Sequence, residues 1–269
     1  MPEYHGYQGY VKIAGTYVLC TSSGLNFVED FIRSSSMYGA TEFTEGDEAA
    51  ISQPKIRDYV VASGSIQFDI GKSRLGLLKS LIQSRDASFD VFLSSRGGEG
   101  ITYSDCLWNS LSISCGGEGS ILNVSLNIVS YTHAYEFSNG AEKCESKYPS
   151  DLMADGSDCI PFWMTSLSIC SKLLSWSISL SQNVIPYYCC EAVEEPVPPK
   201  FIGVGILNIR ANTVSLEEMP NSGTIDVLID GDSVFKLLNC VRVGFSDNIS
   251  GNSQLSTISA DYEANGISF

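Results

Sequence analysis

The stretch Gly64-Ser-Ile-Gln-Phe-Asp-Ile70 alternates apolar and polar residues, which predicts a β-strand with one buried face. It is followed at once by residues 72–85, in which leucines and an isoleucine recur at helical spacing. The next strand-like segments, separated by glycine-rich turns, are 88–93, 106–114 and 121–129. A strand, a helix and then three strands predict a mainly β unit with one flanking helix.

The second half of the chain repeats this order of segments, and such internal repeats decide an architecture. Cys106 and Cys240 are 134 residues apart, and Phe68 and Ile209 are 141 apart, so the spacing is nearly kept. The slot for the second helix, 211–220, is short and ends in a proline, which leaves room for a turn or two. The segments that correspond to the strands of the first half are 205–209, 224–229, 239–243 and 255–262.

We therefore predict two tandem β-sandwich or barrel units, with the flanking helix eroded in the second. The first unit is expected at 1–137, a polar linker at 138–160 and the second unit at 161–269. The two units differ most where an acidic, aperiodic stretch, 29–58, predicts a long loop in the first.

The composition argues against a protein that binds nucleic acid through its phosphates. Asp and Glu exceed Lys and Arg by 31 to 16, which gives a formal charge of −15, so few cations are present to neutralise phosphates. The most apolar stretch, 163–180, is interrupted by six serines and predicts a strand, so we expect no membrane span. The amino terminus has neither a basic nor an apolar segment typical of a signal peptide, so we expect reduced cysteines.

The search for catalytic or metal-binding residues finds little. The chain has two histidines, neither near a nucleophile motif, and nine scattered cysteines without zinc-ligand spacing. We expect no catalytic residues, no metal and no cofactor. An enzyme on a β-barrel remains an alternative through a carboxylate pair such as Asp105 with Glu118.

Polar residues occupy one face of several predicted strands. Ser65, Gln67 and Asp69 alternate with apolar residues in the first strand, as Asn123 and Asn127 do in the last. Such a row is typical of a solvated sheet face, or of a wall of small polar groups that lines a wet channel.

The order of hairpin, acidic loop, strand, helix and hairpin resembles the tail tube proteins of long-tailed bacteriophages. The residues that carry the resemblance are Gly9-Tyr-Val-Lys-Ile-Ala-Gly-Thr-Tyr-Val-Leu19, the helix at 72–85 and the strands between Asp90 and Ile128. This family is related to the inner tube of contractile tails and to the type VI secretion tube. The resemblance implies stacked hexameric rings whose inner strands surround DNA, and with two units per chain it implies three subunits per ring.

The resemblance also implies a function, partners and a location. The chain would be a structural virion protein, not an enzyme, that assembles with itself and with other tail proteins at the tube ends, while DNA passes through without specific binding. The alternatives are a specialised terminal or baseplate ring protein and a non-viral β-rich surface or adhesion protein. The residues expected to face the lumen are Asp69, Gln67, Asn123, Asn127, Ser112, Asn208 and Asp261.

The acidic loop at 34–55 is predicted to join stacked rings, because ordering so long a loop has an entropic cost that a neighbour would offset. Lys72, Arg74 and Arg85 are candidate partners on the next ring. The loop residues expected in this contact are Met37, Tyr38, Glu42, Phe43, Glu45, Asp47 and Glu48.

Overall fold

The chain is mainly β, which confirms the predicted fold class. The computed structural model describes residues 10–33, 55–84, 87–96, 99–130, 135–138, 158–170, 172–184, 200–211, 219–248 and 257–269. Within these residues there are fourteen strands and one α-helix. The acidic loop predicted to join rings, 34–55, lies outside the described residues apart from its last position.

The elements of the first half are β1 (Tyr10–Ile13), β2 (Thr16–Arg33), β3 (Lys55–Asp69), α1 (Leu75–Gln83), β4 (Phe89–Arg96), β5 (Glu99–Cys115), β6 (Asn123–Ser130) and β7 (Tyr135–Ser138). Those of the second half are β8 (Thr165–Leu167), β9 (Leu173–Asn183), β10 (Lys200–Ala211), β11 (Ser222–Ile229), β12 (Asp232–Asn248), β13 (Thr257–Ala264) and β14 (Gly266–Ser268).

The hairpin of β2 and β3 is longer than the sequence pattern indicated. Residues 29–33 and 55–58 were predicted to be part of a loop, and this was wrong, because they are paired strand residues that end at Arg33 opposite Lys55. Backbone hydrogen bonds do not depend on side-chain alternation, so an irregular pattern did not prevent pairing. The helix is also shorter than predicted, because residues 72–74 form a 3₁₀ turn before α1.

The first half closes on itself. The strands are hydrogen-bonded in the order β4-β1-β2-β3-β6-β5, and β4 also pairs with β5, so six strands form a closed ring. Helix α1 packs on this barrel through Leu77, Leu78, Leu81 and Ile82, all of them buried. The indole of Trp108 in β5 donates a hydrogen bond to the Leu81 carbonyl oxygen over 2.8 Å, which ties the end of the helix to the barrel.

The second half follows the same strand order. Its path, β9-β10-β13-β12-β11-β8, matches β2-β3-β6-β5-β4-β1 strand for strand. The two short strands β7 and β14 also correspond, since they pair with β5 and β12. The agreement in order supports the predicted internal duplication.

Local irregularities recur at matching positions. Asp105 and Asn239, again 134 residues apart, are both non-glycine residues with positive φ, 52° and 51°. The thiol that follows each of them, in Cys106 and Cys240, donates to a carbonyl oxygen three residues earlier. A bulge in β5, opposite β6, skips Asn109, and the bulge in β12, opposite β13, skips the matching residue.

The sequence alignment of the two halves was out of register by two residues in one strand. It matched Phe68 with Ile209, but this was wrong, because Ile66 pairs with Leu126 in β6 just as Ile209 pairs with Ala260 in β13. A shift of two residues keeps every side chain on the same face, so periodicity alone could not detect it.

Candidate functional site

One ladder joins the two halves into a single sheet. Residues 110–115 of β5 pair antiparallel with residues 176–181 of β9. Eight strands therefore form a continuous run in the order β2-β3-β6-β5-β9-β10-β13-β12. The surface that this run presents on the side away from its buried residues is called the polar face below.

The middle strands separate apolar and polar side chains onto opposite faces. Leu111 and Ile113 of β5, like Ile178 and Leu180 of β9, are 1% exposed or less and belong to the core. The residues between them are half-buried or exposed on the opposite face. The serines and asparagines of this face in β5, β6 and β9 are Ser110, Ser112, Ser114, Asn123, Ser125, Asn127, Ser175, Ser177, Ser179 and Ser181.

These polar groups bond to one another along the sheet. The side-chain amide of Asn127 donates to the Ser110 hydroxyl over 2.5 Å. The amide of Asn123 donates to an Asp69 carboxylate oxygen over 3.0 Å. Because neighbours satisfy part of each group's hydrogen-bonding capacity and water reaches the rest, the face is hydrated without any deep recess.

The polar face is acidic where it is charged. Its described charged side chains are Asp69, Asp261 and Glu263, all of them half-buried or exposed, and none of its described side chains is basic. The basic side chains described elsewhere are engaged with other surfaces: for example, Lys236 lies 3.6 Å from Asp226, and Arg242 donates to the Met219 carbonyl oxygen over 2.8 Å.

The second half carries the same face with different residues. Asp261 of β13 pairs with Gly244 of β12, as Asn127 pairs with Ser110. A Cβ at Gly244 would lie 2.8 Å from an Asp261 carboxylate oxygen, so the glycine leaves the space that this carboxylate occupies.

The structure brings the residues predicted to face a lumen into one sheet. Asp69, Gln67, Asn123, Asn127 and Ser112 lie on β3, β6 and β5, and Asn208 of β10 is paired with Asp261 of β13. Whether a lumen exists stays a prediction. The prediction omitted the serines of β9, although their alternation in 175–181 was a usable signal.

The alternative of a carboxylate pair is not supported. Asp105 and Glu118 lie beyond opposite ends of the β5 segment 106–115, which separates them by about 30 Å along an extended strand. Asp105 instead accepts a hydrogen bond from the Ser88 hydroxyl over 3.2 Å. Burial, together with the charges of Asp90 and Asp105, raises the pKa of the Cys106 thiol to about 12, so this cysteine is no nucleophile at neutral pH.

The cations proposed to meet the acidic loop are used within the chain. The Lys72 ammonium lies 2.8 Å from an Asp230 carboxylate oxygen of the second half. Arg74 lies 3.2 Å from Asp158. The third candidate, Arg85, lies outside the described residues, as do all of the loop residues named above.

No helix within the described part of the chain is long and apolar enough to cross a membrane. Comparison of the sequence with protein-family models gives no match, and comparison with curated proteins gives no significant match. The function must therefore be inferred from the geometry of the polar face itself.

Proposed function

We propose that this protein is a structural subunit of a tube, similar to the tail tube of long-tailed bacteriophages. Three copies form a ring with pseudo-sixfold symmetry, and stacked rings form the conduit through which DNA leaves the virion. Other tail proteins cap the ends of the tube. The subunit has no catalytic role and needs no cofactor.

The observation that carries this proposal is the polar face that runs without interruption through both halves. Antiparallel pairing of β5 with β9 makes two similar β units into one wall of eight strands. A chain with two similar units supplies twice the wall of a single unit, as a ring built from few subunits requires.

The chemistry of the face suits a surface past which DNA slides. A lysine 4 Å from a phosphate gains about 1 kcal/mol even in bulk water, and a wall of repeated subunits would multiply that attraction. Serine and asparagine hydrate the wall without attracting phosphates, and the acidic Asp69, Asp261 and Glu263 repel them.

Electron microscopy of the purified protein, imaged with and without duplex DNA, tests this proposal. We expect rings or tubes with an open channel, to which DNA does not adhere. Substituting both Gln67→Lys and Asn127→Lys on the polar face should leave assembly intact and create DNA retention that weakens steeply with salt, because each lysine–phosphate contact releases counterions.

The matched control carries the same added charge on the opposite side of the molecule, at the exposed residues Gln83 and Ser84 beside α1. The Gln83→Lys and Ser84→Lys double variant should not retain DNA inside the channel. A monomer under all conditions, or a filament without a channel, would refute the proposal. Single rings that never stack would instead favour the specialised terminal ring.

A further inference from the structure

Two strands have long edges that lack a partner among the described strands. β2 pairs with β1 only at residues 16–18, and from residue 19 onward its described partner is β3 alone. β12 pairs with β11 only as far as Val241, and its residues 242–248 pair with β13 alone. An open edge of this length is a template for pairing with another strand.

These two open edges are the counterparts of the two strands that pair with each other inside the chain. β12 corresponds to β5, and β2 corresponds to β9 in the strand order of the two halves. Within the chain, β5 uses the segment beyond its contact with β4 to bind β9. The same segment of β12 is open.

Apolar side chains on β12 are exposed where their counterparts on β5 are buried. Phe245 is 41% exposed, whereas its counterpart Leu111, which faces Leu180 across the β5–β9 ladder, is fully buried. Val241 is 51% exposed, whereas its counterpart Leu107 is 4% exposed. β12 therefore presents a core surface that has no cover within the described chain.

Matching bulges fix how β2 and β9 correspond. The β2–β3 pairing skips Thr21 opposite Gln67 and Phe68, and the β9–β10 pairing skips Leu174 opposite Arg210 and Ala211. Aligning these two bulges makes Ser179 the counterpart of residue 26, at the same distance along the strand.

We propose that the edge of β12 at residues 244–248 pairs antiparallel with residues 24–28 of β2 in a second copy of this chain. The register copies the internal ladder: since Ser112 pairs with Ser179, Ser246 pairs with Asn26 of the second copy. Phe245 then lies opposite Phe27 and is covered as Leu111 is by the second half.

This inference rests on the proposed function and deepens it by naming the strands that join neighbouring subunits. The contact is heterologous, since it joins β12 of one copy to β2 of the next and leaves the opposite edges open for further copies. A heterologous contact of this kind generates a closed ring or an open filament and cannot stop at a twofold dimer.

A disulfide across the predicted register tests the contact. In the full-length protein, Asn26→Cys combined with Ser246→Cys should form intermolecular disulfides on mild oxidation, because opposed residues in an antiparallel pair have Cα atoms about 4.5–5.5 Å apart. Peptide mapping by mass spectrometry identifies the bond above the background of the native cysteines. Phe27→Cys with Ser246→Cys is the control, because a slip of one residue places the two side chains on opposite faces.

A second variant tests the edge without cysteine chemistry. Phe245→Glu should leave the circular dichroism spectrum unchanged and reduce assembly at least tenfold in light scattering, whereas Trp163→Glu, at a residue 74% exposed elsewhere, should not. If tubes form but the 26–246 bond is absent and Phe245→Glu assembles normally, this inference is overturned while the proposed function stands. If the wild-type protein never assembles, both are overturned.

Discussion

At the scale of the residue, Asp158 attaches the start of the second half to the first. Its carboxylate accepts a hydrogen bond from the Ser73 backbone N–H over 3.0 Å and one from the Ser73 hydroxyl over 2.6 Å, and Arg74 lies 3.2 Å away. Burial opposes ionisation of this carboxyl, but the Ser73 hydrogen bonds and the charges of Arg74 and Lys72 outweigh it and lower its pKa.

Asp158→Asn should therefore lower the free energy of unfolding by about 1–2 kcal/mol at pH 7, because a charged hydrogen-bond acceptor is lost. Since the folded-state pKa is below the usual 3.8, the contribution is present above that pH and disappears as the pH falls through the folded-state value. Urea unfolding at pH 7 and at pH 2.5 measures the difference, which should shrink in acid. Asp232→Asn, at an exposed turn residue, is the control and should change stability little. An equal effect of Asp158→Asn at both pH values would contradict the prediction.

At the scale of the element, the turn between β5 and β6 is shaped to fit against β9. Gly117 has a φ of +127°, and a Cβ there would lie 2.8 Å from the Leu174 carbonyl oxygen. Gly119, two residues on, has a φ of +82° but open space around it. The turn thus has one glycine required by both conformation and contact, and one required by conformation alone.

Gly117→Ala should lower the free energy of unfolding by about 2–3 kcal/mol, since it adds a steric conflict to the cost of a left-handed backbone, about 1–2 kcal/mol. Gly119→Ala carries only the backbone cost and serves as the matched control. The urea midpoints of both variants measure the difference. Equal midpoints would show that the turn does not press on β9.

At the scale of the whole molecule, the buried side chains form one core that runs through both halves. Leu111 of β5 and Leu180 of β9 face each other across the junction, and both are fully buried. Two units that share a sheet and a core are expected to unfold together.

Leu111→Ala should lower the free energy of unfolding by about 2–5 kcal/mol, because it leaves a cavity in a packed core. Calorimetry should show a single transition, shifted as a whole to a lower temperature. Ile121→Ala, at a residue 37% exposed, is the control and should shift it little. Two separate transitions, of which the variant moves only one, would show that the halves fold independently.

Much of this architecture follows from the sequence alone. Alternation in 64–70 and 121–129 predicted both the strands and their buried residues, because a half-buried strand must change face at every residue. The repeated order of segments and the interval from Cys106 to Cys240 predicted the duplication that the strand order supports. The polar side chains of the candidate lumen wall could be named for the same reason, with the serines of β9 as the omission.

Only the tertiary structure decided how the two halves meet. Nothing in the pattern of β5 or β9 indicates that Ser112 lies opposite Ser179, because backbone hydrogen bonds join any two strands of suitable length. The register of β10 and the length of the β2–β3 hairpin were missed for the same reason. Side-chain periodicity specifies which face of a strand is buried, whereas the choice of partner depends on packing contacts between residues far apart in the chain.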